Sequence, residues 1–259
     1  MTATPTPTWL YVHDDLTEAA RATGRAPAIR LTAALLAAMR RESHVVVLTL
    51  AEQIDGVLAR GSHPPFATAV GIGGAGERVA WALHARAGWF PTIVRVDVAR
   101  EEDGCGGYVL ASPLPLAQQL GGIDVPGPVA IVDDTIFSGL TLRAVLDALP
   151  ETVRCRTHVF CLRAVAASLS AISSVCPVTA GFVASGRLLH DVSFINASGL
   201  VRRGAIRRVG APPLAFFERS EWMRAWFPRQ ANDVTRLCRA LCAQLDAGAP
   251  SSLGDACAV

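Results

Sequence analysis

The segment Val129–Thr141, VAIVDDTIFSGLT, holds the residue types and spacing that point most directly to chemistry. The apolar run Val129–Val132 reads as a buried strand that delivers two adjacent carboxylates, Asp133 and Asp134, at its carboxyl end. A short loop of Thr, Ser and Gly follows, and Leu140 or Thr141 opens a helix. Backbone amides at such a helix start point towards an anion, and the helix dipole favours negative charge there. Gly139 lets the backbone approach a phosphate closely, while Thr135, Ser138 and Thr141 add hydroxyl donors. Carboxylates beside a phosphate cradle would repel the phosphate, so they make sense as acceptors for sugar hydroxyls at the ligand's other end. One loop then holds a ribose 5-phosphate by both ends.

The same residues carry a resemblance. Four mostly apolar residues, two acids, three variable residues, Ser/Thr, Gly, one variable residue and Ser/Thr match every constrained position of the type I phosphoribosyltransferase fingerprint. The resemblance implies that Asp133 and Asp134 contact the ribose 2- and 3-hydroxyls. It implies that Phe137, Ser138, Gly139, Leu140 and Thr141 wrap the 5-phosphate of 5-phosphoribosyl 1-pyrophosphate (PRPP), with Thr135 in the same loop. Upstream, an apolar strand over 66–72 runs into GIGGAG, Gly71–Gly76, much like the family's pyrophosphate loop. Gly73, Gly74 and Ala75 would expose amides to the leaving group. Arg95 and Arg100 precede EEDGCGG, placed where the family has its mobile catalytic loop.

The implied activity is Mg²⁺-dependent transfer of the phosphoribosyl group from PRPP to a small acceptor, a base or a specialised metabolite, with release of pyrophosphate. Asp133, Asp134 and Arg100 are the expected catalytic residues. Mg²⁺ is expected to be held mainly by PRPP and water, with Asp133 or Asp134 as an optional ligand and no dedicated protein cage. There are two departures from the family. Its mobile loop often supplies a Lys, where this chain offers only Arg100 or Arg95, with a different geometry. Relatives acting on 6-oxopurines carry an Asp in the phosphate loop where this chain has Phe137, which argues against those acceptors. The resemblance covers about residues 40–185.

Other readings compete. GIGGAG also fits G-x-G-x-x-G between a strand and a helix, with Asp97 as the ribose acid of a dinucleotide- or methyl-donor-dependent Rossmann enzyme. That reading puts its acid late, within a strand, and leaves Asp133–Thr141 unexplained. A phosphoacceptor receiver domain shares the IVDD pattern but requires an Asp at a later strand end and a distal Lys, and neither is present. The alternative that keeps the fold is a regulator that senses PRPP without turning it over. It should carry a nucleic-acid module, and the only basic candidate is Arg202–Arg208. That cluster reads first as a solvated loop, then as RNA binding or a grip on an anionic acceptor.

Composition narrows the choice further. All 24 basic residues are Arg, so mechanisms that require lysine, including Walker-type loops and Schiff bases, are excluded. A net charge of +2 gives no reason to expect a nucleic-acid partner. Seven cysteines without a CxxC pair read as reduced core thiols. His13, His44, His63, His84, His158 and His190 are scattered, with no pair at metal spacing. The beginning of the chain, MTATPTPTWLYVHDD, lacks a leader pattern, and no apolar run spans a bilayer. The expectation is a cytoplasmic homodimer that partners PRPP and an unidentified acceptor, with neither nucleic acid nor membrane.

The elements that must position these residues alternate between β-type and helical patterns. Strands are expected over 44–50, 66–72, 92–98, 129–133, 156–162 and 178–184, and helices over 26–40, 51–60, 77–87 and 140–149. An irregular stretch is expected from 99 to about 127. Continuous apolar strands between helices predict an α/β, Rossmann-like, mainly parallel sheet covered on both faces, with ligands at the strands' carboxyl ends. Residues 1–40 read as an N-terminal arm and helix, 41–185 as the phosphoribosyltransferase core and 186–259 as a C-terminal extension or hood. The extension carries an aromatic cluster over 216–227 and a last amphipathic helix. Met39, Met223 and the tryptophans read as core, with one aromatic of the cluster as a candidate cover for the acceptor.

Overall fold

The computed structural model describes residues 9–123, 126–184 and 194–246. The first eight residues, His190 and Cys257 lie outside them. In chain order the first strands and helices are β1 Leu10–His13, α1 Leu16–Ala22, α2 Ala26–Arg40, β2 Val45–Leu48, α3 Leu50–Leu58, β3 Thr68–Ile72 and α4 Gly73–Ala87. Then come β4 Ile93–Val96, β5 Ala99–Glu102, β6 Tyr108–Ala111, α5 Leu116–Gln119, β7 Val129–Ile136, α6 Leu140–Ala148, α7 Glu151–Arg154, β8 Thr157–Val165, α8 Ala166–Ser173 and β9 Val178–Ala184. The chain closes with β10 Phe194–Asn196, α9 Ala197–Val201, β11 Ile206–Arg208, β12 Ala211–Leu214, a 3₁₀ turn Phe216–Glu218, α10 Ser220–Trp226 and α11 Ala231–Asp246.

The apolar runs form a wholly parallel five-stranded sheet in the order β4-β3-β7-β8-β9. Side chains alternate along a strand, so β7 serves two cores. Val129 and Ile131 face Leu142, Val145 and Leu146 of α6, while Ala130 and Val132 join Val79, Ala80 and Leu83 of α4 and Ile54 and Val57 of α3. Helices therefore cover both faces, as the near-continuous hydrophobicity of the strands requires. The order places β3 and β7 side by side, which brings the starts of α4 and α6 to the same edge of the sheet.

Two smaller sheets flank this one. β1 lies between β10 and β2, all parallel. A third core joins α2 to the C-terminal elements through Leu35, Leu36 and Met39 against Trp226, Phe227 and Leu241. The other sheet has the order β12-β11-β5-β6. No helix among the described residues is long and apolar enough to cross a membrane.

Two local expectations are corrected. The stretch after residue 98 is not irregular: β5 and β6 form an antiparallel hairpin with Arg100 opposite Leu110. Its turn is built by Gly104 and Gly106 at φ of 80° and 88°, and by Asp103, whose Oδ1 accepts from the amides of Cys105 and Gly107 at 2.8 Å each. The run AREE has no apolar alternation, so only the Asp-Gly turn chemistry could have revealed the hairpin. The glycine segment after β3 is likewise not a free loop. Gly73 already starts α4, with Ile72 as N-cap.

Candidate active site

Asp133 and Asp134 sit near the carboxyl end of β7, where strand geometry sends neighbouring side chains to opposite faces. Asp134 is met by Arg163 of β8, which is 1% exposed; its Nη2 donates to Asp134 Oδ2 and to Asn196 Oδ1, each at 2.9 Å. Asn196 Nδ2 donates to the same Asp134 oxygen at 3.3 Å. The amide of Asp134 donates to Asp133 Oδ1 at 2.8 Å. Behind Arg163 lie His13, whose Nδ1 is 2.7 Å from Gln53 Nε2, and Asp15, which accepts from the Ser198 amide at 2.7 Å.

This surrounding splits the two carboxyls. Burial and the neighbouring charge of Asp134 push Asp133 well above the usual carboxylate range. Burial would also raise Asp134, but the Arg163 guanidinium, the Asn196 amide and His13 outweigh it and hold Asp134 below its ordinary value. His13 is held low by burial and by Arg163. One ionised and one reluctant acid side by side can accept hydrogen bonds at the first and exchange a proton at the second.

The acids border a cavity of about 300 Å³. Gly73, Gly74 and Ala75 form one wall, and Thr135, Phe137, Ser138, Gly139, Leu140 and Thr141 the other, with Arg100 at the side. Each expected donor-site residue except Arg95 therefore borders one space, although the two segments lie about sixty residues apart in sequence. Two helix N-termini open on it, those of α4 and α6, each with first-turn amides that have no partner inside the helix. Gly139, the N-cap of α6, adopts φ 76° and Gly73 φ 59°, both in the left-handed region where a side chain is strained. Gly71 and Gly76 have a different task. A Cβ on Gly71 would lie 2.6 Å from the Glu77 backbone, and one on Gly76 would strike the Val132 carbonyl oxygen. Gly71 lets the first turn of α4 lie close on β3 and Gly76 lets it lie close on β7, while Gly73 and Gly74 leave the phosphate-sized space open.

Arg95 does not border this cavity. Its guanidinium lies 2.6 Å from Asp97 and 3.6 Å from Glu77, which also ties Asp97 into an exposed ion pair. Arg100 is placed differently: its Cζ stacks 4.5 Å from the centre of the Tyr108 ring and 5.6 Å from that of Phe137. The hairpin thus presents a guanidinium packed against two rings.

Beyond Phe137 and Ser138 the space continues into a second cavity of about 420 Å³, which Arg100 also lines. Tyr108, Phe194, Phe216, Trp222 and Trp226 line it. An overlapping space of about 510 Å³ shares Arg207 with this cavity and adds Arg202 and Arg203. Arg208 instead donates from Nε to the Pro212 carbonyl at 2.8 Å. Trp226, read from sequence as core, is both buried and part of this wall. The hairpin is tied to the same region by Glu102, which accepts from Arg219 at 2.7 Å and from the Val209 amide at 3.0 Å. Sequence reasoning missed Arg163, Asn196, His13 and Tyr108. For Arg163 a signal existed, a lone charge inside the apolar run FCLRAV.

No family model and no curated protein matches the chain. Among solved structures it is similar to a purine phosphoribosyltransferase from Pyrococcus horikoshii, with 18% identity over 56% of this chain and 86% of that one, at a TM-score of 0.38. An adenine phosphoribosyltransferase from Thermoanaerobacter pseudethanolicus aligns at 14% identity over 52% and 80%, at a TM-score of 0.35. A hypothetical protein from Neisseria gonorrhoeae with bound ppGpp aligns at 18% identity over 57% and 80%, at a TM-score of 0.40.

Proposed function

We propose that this protein binds PRPP in the 300 Å³ cavity and transfers its phosphoribosyl group to a small acceptor held in the adjoining aromatic space. One observation carries the reading: Gly73–Ala75 and Asp133–Thr141 enclose one cavity at which two helix N-termini and two carboxyls meet. The amides of Ser138–Thr141 suit the 5-phosphate, and those of Gly73–Ala75 suit the pyrophosphate. Asp134, fixed and ionised by Arg163, accepts from a ribose hydroxyl, and Asp133 orients the other.

As the bond between ribose C1 and pyrophosphate lengthens, positive charge develops on the sugar ring. The ionised acid beside the ring stabilises that charge, and the amides of the α4 start, with Arg100, stabilise the departing anion. The nucleophile then approaches from the side of Phe137, opposite the leaving group. The described residues contain no cluster of three or more His, Cys, Asp or Glu that could cage a metal. In this reading Mg²⁺ is held chiefly by oxygens of the substrate and water, with Asp133 or Asp134 as an optional ligand. When bound, the ion would supply charge neutralisation at the pyrophosphate.

The test is pyrophosphate release from PRPP with Mg²⁺ across a panel of acceptors. Release that depends on an acceptor and disappears in Asp133→Asn/Asp134→Asn supports the transferase. Tight PRPP binding without turnover on any acceptor would replace it with the sensor reading.

A further inference from the structure

The aromatic cavity has a composition that narrows the acceptor. Its walls bring Tyr108, Phe137, Phe194, Phe216 and Trp222 around one space of about 420 Å³. Phe216 and Trp222 lie 5.8 Å apart between ring centres, and Trp222 and Trp226 5.3 Å apart. Walls of this kind favour flat ligands, which gain ring contacts on their faces. The volume accommodates a fused pair of rings.

The charges at the cavity do not balance. Each carboxylate beside it already has a cation: Glu102 is bridged to Arg219 at 2.7 Å, and Asp134 to Arg163 at 2.9 Å. Arg203 lies 3.5 Å from Glu218. Among the described residues no acidic partner stands against Arg202 or Arg207, yet both line the same space as Phe137 and Phe216. Solvated surface arginines would account for the charge but not for its position on the rim of a ring-lined pocket. Trp226, fully buried, also lines the cavity.

We infer that the acceptor is a planar aromatic molecule bearing an anionic group, a carboxylate or a phosphate ester. Its ring lies among Phe137, Phe216 and Trp222, and its anion is met by Arg202 and Arg207. The inference rests on the transferase reading for the word acceptor, but the pocket and its ligand class stand on their own residues. Cationic acceptors, aminocyclitols among them, are disfavoured by the same arginines.

The experiment is calorimetric titration of the full chain with four probes: 2-naphthoate, 2-naphthyl phosphate, 2-naphthamide and decahydro-2-naphthoate. At least one of the two aromatic anions should bind about tenfold or more tighter than both the neutral amide and the saturated acid, in keeping with charge-assisted hydrogen bonds and ring contacts. The tighter of the two anions identifies carboxylate or phosphate. Arg202→Gln/Arg207→Gln should erase the preference for anion over amide, and Trp222→Leu should weaken the aromatic probes. Equal binding of naphthamide, equal binding of the saturated acid, no binding of any probe, or a preference that survives in the double arginine variant would each overturn the inference. PRPP is titrated in parallel. Loss of PRPP binding with probe binding intact would remove the donor assignment alone, and the converse would remove the pocket assignment alone.

Discussion

Replacing Arg163 with Met should destabilise the protein in a way that depends on pH. Arg163 is fully buried and joins Asp134 and Asn196 with two bonds of 2.9 Å. Removing one member of a buried pair leaves the other uncompensated and costs about 3–5 kcal/mol. The cost here should sit at the lower end, about 3 kcal/mol, because Arg163 Nε and Nη1 have no partner among the described residues and their desolvation is relieved. In a chain of this size that corresponds to a fall in Tm of roughly 6–12 °C near neutral pH.

The direction of the pH dependence follows from Asp134. Its folded-state pKa is depressed in the wild type, so its contribution to stability is present above the unfolded value of about 3.9 and is lost as pH falls through the folded value. Without Arg163 the largest cause opposing burial is gone and the Asn196 amide and His13 remain against it, so the folded pKa rises and the penalty relative to wild type grows as pH rises from about 4 towards 7. Calorimetric unfolding of wild type, Arg163→Met, Asp134→Asn and the double variant at pH 5 and pH 8 measures both the loss and the coupling. A loss under about 1 kcal/mol at both pH values, or a double variant showing the full sum of both single losses, would refute the reasoning.

Other consequences follow from the same geometry. Asp133 is held high by burial and by Asp134, so PRPP affinity should rise with pH as Asp133 ionises, and calorimetry on Asp133→Asn should show that rise flattened. Gly76→Ala drives a Cβ into the Val132 carbonyl and should cost about 1–3 kcal/mol in thermal unfolding, as overpacked sites do. Gly74→Ala meets only the flexible end of Arg95 at 3.5 Å, so it should leave Tm unchanged and weaken PRPP binding by crowding the cavity. Arg100→Ala should reduce PRPP affinity about tenfold, and Arg100→Lys should recover only part of it, since the planar guanidinium contacts with Tyr108 and Phe137 are lost.

The parallel sheet was legible because its signal is local. Val129–Val132 is apolar over its whole length, Val178–Ala184 has Thr179 as its one polar residue, and both are bounded by turn or helix chemistry. The strand over 178–184 agrees with the expected range at both ends. The small strands were not legible. β1 and β10 have four and three residues, and each becomes a strand only through a partner far away in sequence. The donor site could be read because Asp133–Thr141 is one continuous segment whose residue types match their tasks. The residues that set its electrostatics were out of reach of such reading. Asn196 and His13 come to Asp134 and Arg163 from opposite ends of the chain, through a sheet that local patterns do not announce. By sequence alone the glycines of Gly71–Gly76 form one anion loop. The packing of α4 on β3 and β7 separates them into two that permit close approach and two that line the cavity.

The central claim is that Asp133–Thr141 and Gly73–Ala75 together hold one phosphoribosyl donor. Calorimetric titration of PRPP with Mg²⁺ into wild type and Asp133→Asn/Asp134→Asn tests it directly. The account expects saturable one-site binding by the wild type, weakened by at least about tenfold in the variant as charged hydrogen bonds to the ribose are lost. Equal affinities in the two proteins, or no binding by the wild type, would contradict it.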